Sequence, residues 1–309
     1  MKILITGVHG FVGSNLVKAL SKEHTIYGLD IISPTKEGVS YTYSWDFLDR
    51  EEDIPEVDAI IHLAGKAHDT KNKTVSDVYF KVNTGLTQKI YDYFLKSKAK
   101  KFIFFSTAKA AADKVEGILT EDVVPSPVGP YGESKIAAEK YIQEHLSGEK
   151  QVYILRPCMI HGPGNKGNLN LLYNVVKKGI PWPLGAFENR RTFTSIDNLS
   201  FVINGLLTKD VPTGIYNMGD DEALSTNELI EEICKSLGKK AHIWKLPKGL
   251  MYTVAKIGGT LHLPLDPERL RKLTEDYVSS NAKIKKALGV EKMPVDAREG
   301  LKITLESFK

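Results

Sequence analysis

Short apolar runs recur along the first half of the chain, and stretches with helical periodicity separate them. The runs have the length of buried strands. They cover residues 2–6, 25–29, a run that ends at 45–48, 57–63, 101–105 and 151–155. Helices are predicted after the first run, over 75–95 and over 131–146. Strands that alternate with helices over short turns predict an α/β fold with a parallel, doubly wound sheet.

The pattern changes after about residue 160, where loops lengthen and short strands alternate with helices such as 226–237. We therefore predict two domains. Residues 1–160 form the domain of the doubly wound sheet, and residues 161–309 form mainly a smaller C-terminal substrate-binding lobe. The stretch at about 192–207 is expected to return to the first domain.

A glycine-rich turn follows the first strand, with Gly7, Gly10 and Gly13 in a G-x-x-G-x-x-G pattern. The order strand, glycine turn, helix lets the backbone approach a pyrophosphate at the helix N-terminus. We predict that this Rossmann-type domain binds a dinucleotide. A tight strand-to-helix turn that packs without a ligand is the alternative.

Acidic residues follow the second and third predicted strands. Asp30 ends the second strand, where a carboxylate can accept hydrogen bonds from ribose hydroxyls and would repel a 2′-phosphate. This favours NAD over NADP, although Asp30 could also be a solvated loop acid. Asp46 could accept a hydrogen bond from the adenine amino group.

Small and hydroxyl-bearing residues follow the fourth and fifth strands. Gly65 would let a cofactor lie flat across the strand ends, and Ser106 and Thr107 end the fifth strand. Ligands bind outside the carboxyl ends of the strands in such sheets, so these residues are candidate site residues. We interpret His62 as a structural histidine rather than a base.

Tyr131 and Lys135 lie four residues apart on a predicted helix and therefore share one face of it. A free tyrosine hydroxyl has a pKa of about 10, and an ammonium group one turn away favours the phenolate and lowers that pKa. The two residues are candidates for acid/base chemistry. Many surface helices carry the same spacing by chance, so its meaning depends on the rest of the chain.

Composition narrows the class of protein. The chain has 309 residues, of which 42% are hydrophobic and 26% charged, which is typical of a soluble globular protein. Its net charge of +4 argues against a dedicated nucleic-acid surface. Two cysteines, Cys158 and Cys234, give no disulfide framework, so a cytoplasmic location is expected. We recognise no signal peptide and no apolar run of about 20 residues, so no membrane partner is expected.

Further motifs follow in a fixed order: Phe105-Ser106-Thr107, Tyr131-Gly132-Glu133-Ser134-Lys135 and Arg191-Thr192-Phe193. With the glycine turn, 62–65, 155–157, 161–164, 281–283 and 288–289, they resemble the extended short-chain dehydrogenase/reductases of the NAD-dependent epimerase/dehydratase family. Members of this family modify nucleotide-activated sugars, and the resemblance covers nearly the whole chain. The stretches 189–191 and 224–226 further resemble a bacterial polysaccharide subgroup of 4-epimerases and 4-keto-6-deoxy-sugar reductases that act on UDP-N-acetylhexosamines.

The resemblance implies a role for each matching residue. Tyr131 would be the acid/base at the sugar C4 hydroxyl, and Lys135 would hold the nicotinamide ribose and lower the tyrosine pKa. Thr107 would bind the same sugar oxygen, with Ser106 as the fallback. The cofactor-binding residues implied are Gly7, Gly10, Phe11, Val12, Gly13, Asp30, Asp46, Phe47, Leu63, Ala64, Gly65, Asn83 (at the family's helix-bending position), Ser106, Tyr131, Lys135 and Pro157.

The resemblance also implies a clamp for the substrate diphosphate. Arg191 would pair with it, because a planar guanidinium matches phosphate oxygens. A second arginine is expected near Arg269, with Arg271 equally placed, and Asn168 would meet the diphosphate or the uridine side. These residues could instead be surface arginines or a capping asparagine. No metal site is expected.

Two departures from the family pattern matter. Ala108 stands where 4,6-dehydratases carry an acid, and dehydration needs an acid and a base, so dehydratase activity is not expected. Met159 stands where many epimerases have an asparagine that touches the phosphates, which leaves the substrate clamp open. Lys109 could face the sugar or simply lie on the surface.

Together these features predict an NAD-dependent 4-epimerase of UDP-hexoses or UDP-N-acetylhexosamines. An NAD(P)H-dependent reductase of UDP-4-keto-6-deoxy-hexosamines is the alternative, because the same residues serve both reactions. A non-catalytic nucleotide-binding protein is disfavoured, because it would not need Thr107, Tyr131 and Lys135 together. The resemblance implies a homodimer formed by the helices at about 75–95 and 131–146.

Overall fold

The structure is a computed structural model of the chain, and it describes residues 1–32, 34–49, 56–66, 75–261 and 265–309. Its strands are β1 (Lys2–Thr6), β2 (Thr25–Leu29), β3 (Tyr41–Tyr43), β4 (Ala59–His62), β5 (Lys101–Phe105), β6 (Ile118–Leu119), β7 (Gln151–Pro157), β8 (Met159–His161), β9 (Phe193–Ser195), β10 (Gly214–Met218) and β11 (Val278–Ser279).

The α-helices of the described residues are α1 (Phe11–Leu20), α2 (Ser76–Tyr79), α3 (Leu86–Lys96), α4 (Ala108–Ala111), α5 (Pro130–Glu144), α6 (Asn168–Lys177), α7 (Ile196–Thr208), α8 (Thr226–Ser236), α9 (Lys248–Thr260), α10 (Pro267–Thr274), α11 (Ala282–Leu288) and α12 (Ala297–Glu306). A 3₁₀-helix spans Trp45–Asp49, and a π-helix spans Phe80–Gly85.

Seven parallel strands form the main sheet of the described part of the chain, in the order β3-β2-β1-β4-β5-β7-β10. The chain builds outward from β1 in one direction and then returns to build outward from β4 in the other. The point where the strand order reverses therefore lies between β1 and β4, and ligands bind at the carboxyl ends of the strands there. The predicted α/β, doubly wound fold is confirmed.

The sheet is buried on both faces because the middle residues of its central strands are apolar on both sides. On β1, Ile3 and Ile5 belong to the cluster that packs under α1 and α7. Leu4 points to the opposite face and belongs to the cluster under α3 and α5. The two helical layers fix the strand ends, and with them the loops that carry the candidate site residues.

A second group of helices builds the C-terminal part of the molecule. Helices α6, α8 and α12 share one apolar cluster, which includes Tyr173, Ile233 and Leu301. Helices α9 and α10 share another with Leu184 and Phe187. Among the described residues, no helix has both the length and the apolar character needed to cross a membrane.

The structure differs from two of the predicted elements. The third strand ends at Tyr43, and residues 45–48 belong to the 3₁₀-helix instead. The chain turns there because Phe47 N–H donates to Ser44 O at 3.2 Å, and the Phe47 ring packs on Tyr43 at 4.7 Å. The predicted helix over 75–95 is interrupted by the π-helix that contains Asn83.

The stretch at 192–207 supplies β9 and α7, and α7 packs on α1 beneath the main sheet. The sheet also takes its outermost strand, β10, from residues after this stretch. Strand β10 was not predicted from the sequence, and its five residues include Gly214 and the polar Asn217. The division of the chain at residue 160 stays a prediction.

Candidate active site

The glycine turn forms an open cradle at the N-terminus of α1. Gly7 has a φ of 70°, a conformation that favours glycine. A Cβ atom on Gly13 would lie 2.4 Å from Gly7 O, so only glycine lets the helix pack this closely on the turn. No side chain of the described residues caps α1, and its first turn holds no acid. The N–H groups of this first turn remain available to an anion.

Asp30 lies beside this turn. Its carboxylate accepts hydrogen bonds from His9 N–H at 2.9 Å and from Ile31 N–H at 2.7 Å. Lys36 approaches from the following loop and donates to Ser14 Oγ at 2.7 Å, in the first turns of α1. Burial lowers the pKa of Lys36, and Lys18 lowers it further. Lys36 could not be predicted from the sequence, because a loop lysine belongs to no pattern that indicates its position.

The loop after β4 is fastened to β1. Thr6 Oγ1 accepts hydrogen bonds from Leu63 N–H at 3.1 Å and Ala64 N–H at 3.0 Å. His62 is buried, with Nδ1 2.7 Å from Thr6 Oγ1 and Nε2 2.9 Å from Thr87 Oγ1. Burial holds the pKa of His62 well below its usual value. Both ring nitrogens are engaged, which agrees with a structural role.

The π-helix brings Asn83 to the same loop. Asn83 Oδ1 accepts from Lys66 N–H at 2.7 Å, and Nδ2 donates to Lys66 O at 3.1 Å and to Ser134 Oγ at 3.0 Å. One asparagine therefore ties the β4 loop to α5. A Cβ atom on Gly65 would lie 2.9 Å from Asn83 Oδ1 and 3.2 Å from Lys135 Nζ, so the loop lies directly against the lysine.

Tyr131, Lys135 and Thr107 come together at the end of β5. Tyr131 and Thr107 are joined by a side-chain hydrogen bond. Lys135 Nζ donates to Phe105 O at 2.8 Å and lies 5.0 Å from the centre of the Phe104 ring. The three predicted catalytic residues are therefore gathered at one strand end.

Burial sets the protonation of this group. It lowers the pKa of Lys135 to about 8, although Glu139 one turn further along α5 acts in the opposite direction. Burial also raises the pKa of Tyr131, with Tyr79 adding to the rise and the Thr107 hydrogen bond opposing it. The expected lowering of the tyrosine pKa by Lys135 is not seen in the protein alone, because loss of hydration of the phenolate is the largest influence and only the Thr107 hydrogen bond opposes it.

Ser106 points away from Thr107 and into the protein. Its hydroxyl donates to Glu139, which also forms a buried ion pair with Arg156 at 2.6 Å. This ion pair joins α5 to the end of β7 beneath the site. Pro157 lies buried at the same strand end. Glu139 was missed by the sequence reasoning. Its spacing of four residues from Lys135 was the available signal.

A row of charged residues, which we call the charge row, connects α4 to the C-terminal part of the molecule. Lys109 Nζ lies 3.1 Å from Asp113 Oδ1, and Asp113 Oδ2 lies 3.4 Å from Arg271 Nη2. Arg271 Nη1 in turn lies 2.7 Å from Glu275 Oε2. Arg191 completes the row. It donates to Lys272 O, and its pKa is lowered by burial while Glu275 raises it.

The remaining predicted residues lie at varying distances from this group. Arg269 pairs with Asp266 at 3.5 Å, and its side chain is 59% exposed, whereas Arg271 belongs to the charge row. Asn168 is exposed and begins α6. Asp46 is exposed in the 3₁₀-helix, while Phe47 is buried in the core. Glu275 lies between Arg191 and Arg271, since it pairs with Arg271 and raises the pKa of Arg191, whereas Arg269 is not part of the charge row.

The residues at the strand ends fit a dinucleotide. The uncapped N-terminus of α1 suits a pyrophosphate, and the Asp30 carboxylate lies beside it where a ribose would follow. Gly65 leaves the space against Lys135 that a side chain would fill. Phe11 and Val12 supply N–H groups in the first turn of α1.

Comparison with known families shows which protein family the chain belongs to. The model of the NAD dependent epimerase/dehydratase family matches residues 3–219. The chain belongs to this family. Its predicted assignment as an NAD-dependent epimerase/oxidoreductase is thereby confirmed.

Individual relatives and solved structures match the chain over most of its length. A UDP-glucose 4-epimerase of Vibrio cholerae is 30% identical, over 99% of this chain and 95% of its own. The N-acetyl-α-D-glucosaminyl-diphospho-ditrans,octacis-undecaprenol 4-epimerase of Escherichia coli O157:H7 is 27% identical, over 92% and 84%. Among solved structures, a UDP-glucuronic acid 4-epimerase from Bacillus cereus in complex with NAD has a TM-score of 0.76 at 23% identity, over 100% and 98% of the two chains.

Proposed function

We propose that the protein is an NAD-dependent 4-epimerase of UDP-linked hexoses or N-acetylhexosamines. The observation that carries the proposal is the hydrogen bond between Tyr131 and Thr107 beside buried Lys135, at the carboxyl end of β5. Only β4 separates β5 from β1, the strand that leads into the glycine turn. Relatives named as 4-epimerases act on UDP-glucose and on a diphosphate-linked N-acetylglucosamine. What these substrates share is a sugar on a diphosphate, changed at C4.

Tyr131 is the acid/base of the proposed reaction. It takes the proton of the C4 hydroxyl as the alcohol becomes a ketone, and it returns that proton when the ketone is reduced on its other face. Thr107 binds the same sugar oxygen and aligns it with the phenol. NAD, when bound, would supply the hydride acceptor and the hydride donor for C4. The pair of steps leaves the cofactor unchanged and inverts one carbon.

Lys135 supports this proton transfer through its charge. With its pKa at about 8, the ammonium form predominates at neutral pH, and it favours the phenolate of Tyr131. Phe105 O fixes the ammonium group in place. Gly65 lies against the Lys135 ammonium group, and Asn83 binds Ser134, the residue that precedes the lysine.

Arg191 and Arg271 are the proposed diphosphate clamp. Arg271 is preferred over Arg269, because it shares the charge row with Arg191, while Arg269 pairs with Asp266 on its own helix. The carboxylates of Asp113 and Glu275 occupy the Arg271 guanidinium in the protein alone. Binding of a diphosphate would exchange these carboxylates for phosphate oxygens, which a planar guanidinium binds in the same way.

Substitution of Tyr131 by phenylalanine tests the proposal. Purified protein should equilibrate a UDP-sugar with its C4 epimer, as followed by NMR of the sugar protons. Tyr131→Phe should lower kcat by roughly 100-fold to 10,000-fold, because it removes the group that moves the proton. Tyr141→Phe on the same helix is the matched control, since the Tyr141 hydroxyl binds Asp92 away from the site.

Assays with several UDP-sugars distinguish epimerase activity from reductase activity. Epimers formed from UDP-glucose or UDP-N-acetylglucosamine, without net consumption of NADH, support the epimerase. Stoichiometric oxidation of NADH or NADPH by a UDP-4-keto-6-deoxy-hexosamine would replace it with the 4-keto reductase. Turnover that Tyr131→Phe leaves unchanged would refute the catalytic assignment in both cases.

A further inference from the structure

Three buried polar residues lie next to the predicted catalytic residues and take no part in the proposed reaction. They are Ser106, Glu139 and Arg156, which we call the Glu139 cluster, and each is at most 5% exposed. Arg156 Nε donates to Glu139 Oε1 at 3.0 Å, Arg156 Nη2 donates to Oε2 at 2.6 Å, and Ser106 Oγ donates to Oε1. The cluster therefore joins α5 to the end of β7 and to the residue that follows β5.

The buried ion pair of this cluster contributes a fixed geometry more than it contributes stability. Each charge loses its hydration on burial, and apolar side chains of the same volume are often as stable. A guanidinium that binds a carboxylate through two N–H groups fixes the orientation of both. Within the described part of the chain, the side-chain hydrogen bonds of Arg156 all go to Glu139. Ser106 is in turn held at two groups, because its hydroxyl donates to Glu139 and its N–H donates to Leu155 O at 2.8 Å.

The two neighbours of Ser106 in the chain contact the predicted catalytic residues. Phe105, which precedes it, provides the carbonyl oxygen that accepts from Lys135 Nζ at 2.8 Å. Thr107, which follows it, shares a side-chain hydrogen bond with Tyr131. A displacement of Ser106 would therefore disturb the contacts of both the lysine and the tyrosine.

Glu139 also acts on Lys135 through its charge. The two residues lie one turn apart on α5, and the carboxylate raises the Lys135 pKa, which burial lowers. Of the other ionisable groups in the described part of the chain that face the lysine, Tyr131 lies on the same helix and His62 lies on β4. Burial holds the pKa of His62 well below its usual value, so this ring is neutral at pH 7. Without the Glu139 charge, Arg156 would act on Lys135 as an unbalanced cation and disfavour the ammonium form.

We propose that Glu139 and Ser106 are positioning residues of the proposed 4-epimerase. They hold the end of β5 so that its last carbonyl group meets Lys135 and so that Thr107 meets Tyr131. Both residues act through these neighbours, and neither contacts the sugar. The inference rests on the proposed function, because it assigns a purpose to the position of the acid/base residues.

Ser106→Ala tests the positioning role. It removes the hydrogen bond to Glu139 and leaves the ion pair and its charges in place. In assays with NAD supplied, kcat should fall roughly tenfold while KM for the UDP-sugar changes by less than about twofold, because the alignment of the acid/base group is lost and sugar binding is not. Ser195→Ala is the matched control, since Ser195 is also buried and its hydroxyl donates to the carboxylate of Asp220 at 3.0 Å. The control should keep the wild-type kcat.

Glu139→Gln tests the role of the charge. Glutamine keeps an acceptor for Ser106 and removes the negative charge near Lys135. The kcat/KM of the wild type, which reports groups of the free enzyme, should fall as the pH rises through the Lys135 pKa of about 8. In Glu139→Gln this fall should move to lower pH by roughly one unit, because the charged form of the lysine is less favoured. In Ser106→Ala it should stay at the wild-type pH, and the loss of a residue that only packs would not shift it either.

An NMR measurement separates this inference from the proposed function, because it requires no turnover. The protein is prepared with tyrosine that carries ¹³C at Cζ, and the Tyr131 signal is assigned with Tyr131→Phe. In Ser106→Ala the Tyr131 signal should shift, because the hydrogen bond between Tyr131 and Thr107 changes. In Ser195→Ala it should keep its wild-type position.

The outcomes distinguish the two levels of the argument. A shifted Tyr131 signal in Ser106→Ala supports the positioning role, even if the wild type converts no UDP-sugar and the proposed function fails. An unshifted signal, or an equal loss of kcat in the two serine variants, overturns the inference. A fall of kcat/KM at the wild-type pH in Glu139→Gln also overturns it. If Glu139→Gln does not fold, as judged by its circular dichroism spectrum, the two serine variants decide.

Discussion

At the scale of single residues, the site depends on an ammonium group that the protein keeps largely dry. Lys135 is 5% exposed, and burial lowers its pKa to about 8 from 10.5. An unfolded chain would hold the proton more tightly than the folded one, so the charged lysine costs stability at neutral pH. This loss of stability occurs at the position where the charge can favour a tyrosine phenolate.

This cost predicts a specific pH dependence of stability. Between pH 8 and pH 10.5 the unfolded state binds more protons than the folded state, so the contribution of Lys135 raises the unfolding free energy as pH increases, by roughly 3 kcal/mol in total. Lys135→Met lacks this contribution. Chemical denaturation of both proteins from pH 7 to pH 10 should show the wild type gaining stability relative to the variant.

The control for this prediction is Lys140→Met, an exposed lysine on the same helix. Its stability should run parallel to that of the wild type over the whole range. Parallel curves for Lys135→Met as well would contradict the burial argument. The same Lys135→Met variant should lose about 100-fold or more in kcat/KM, because the tyrosine loses its neighbouring charge.

The residues of the site were easier to predict than the directions in which their side chains point. Tyr131 and Lys135 were predictable because spacing along one helix places both on the same face. Arg269 and Arg271 could not be separated, because residues two apart on a helix point to different sides and only packing decides which side meets Arg191. The inward direction of Ser106 depends on Glu139, which comes from another element.

At the scale of elements, the π-helix Phe80–Gly85 is the part of the fold that shapes the site most directly. A wider turn offsets the helix and turns Asn83 toward the β4 loop, where it binds both main-chain groups of Lys66. Sequence periodicity predicted one continuous helix here, since a single wide turn barely disturbs the apolar pattern.

Removal of the Asn83 side chain should release that loop. In Asn83→Ala, Lys66 N–H loses its acceptor, and hydrogen exchange of peptides that contain Lys66 should become faster. Stability should fall by about 1–3 kcal/mol, because buried polar groups are left without partners. Asn174→Ala, at an exposed position of α6, should change neither measurement. Unchanged exchange at Lys66 would show that other contacts hold the loop.

Elements with strong local signals were predicted well. Strands β1, β2 and β5 match the apolar runs, and glycine marks the turn before α1. Strand β3 has only three residues, so the pattern could not separate it from the 3₁₀-helix that follows. The C-terminal elements were harder to predict, because their short strands pair with distant segments, as β11 does with β6.

At the scale of the whole molecule, the helical layer that contains α3 and α5 is the predicted dimer surface. Val78 and Phe80, at the start of this layer, are 40% and 37% exposed. Light scattering should give about twice the 34.4 kDa mass of one chain. Val78→Glu with Phe80→Glu should reduce the mass to that of one chain, because it places carboxylates in an apolar contact. Leu171→Glu, at an exposed position of α6, is the control. A monomeric wild type at micromolar concentration would contradict the prediction.

The charge row affects which anions the protein binds when no substrate is present. Two bare arginines in a pocket would attract any small anion, and inorganic phosphate or chloride would compete with the substrate. Here the carboxylates of Asp113 and Glu275 act as built-in counter-ions of Arg271. At the proposed diphosphate clamp, an anion would have to displace these carboxylates in order to bind Arg271. We therefore expect a diphosphate, which offers several charged oxygens, to compete with them better than a singly charged anion does.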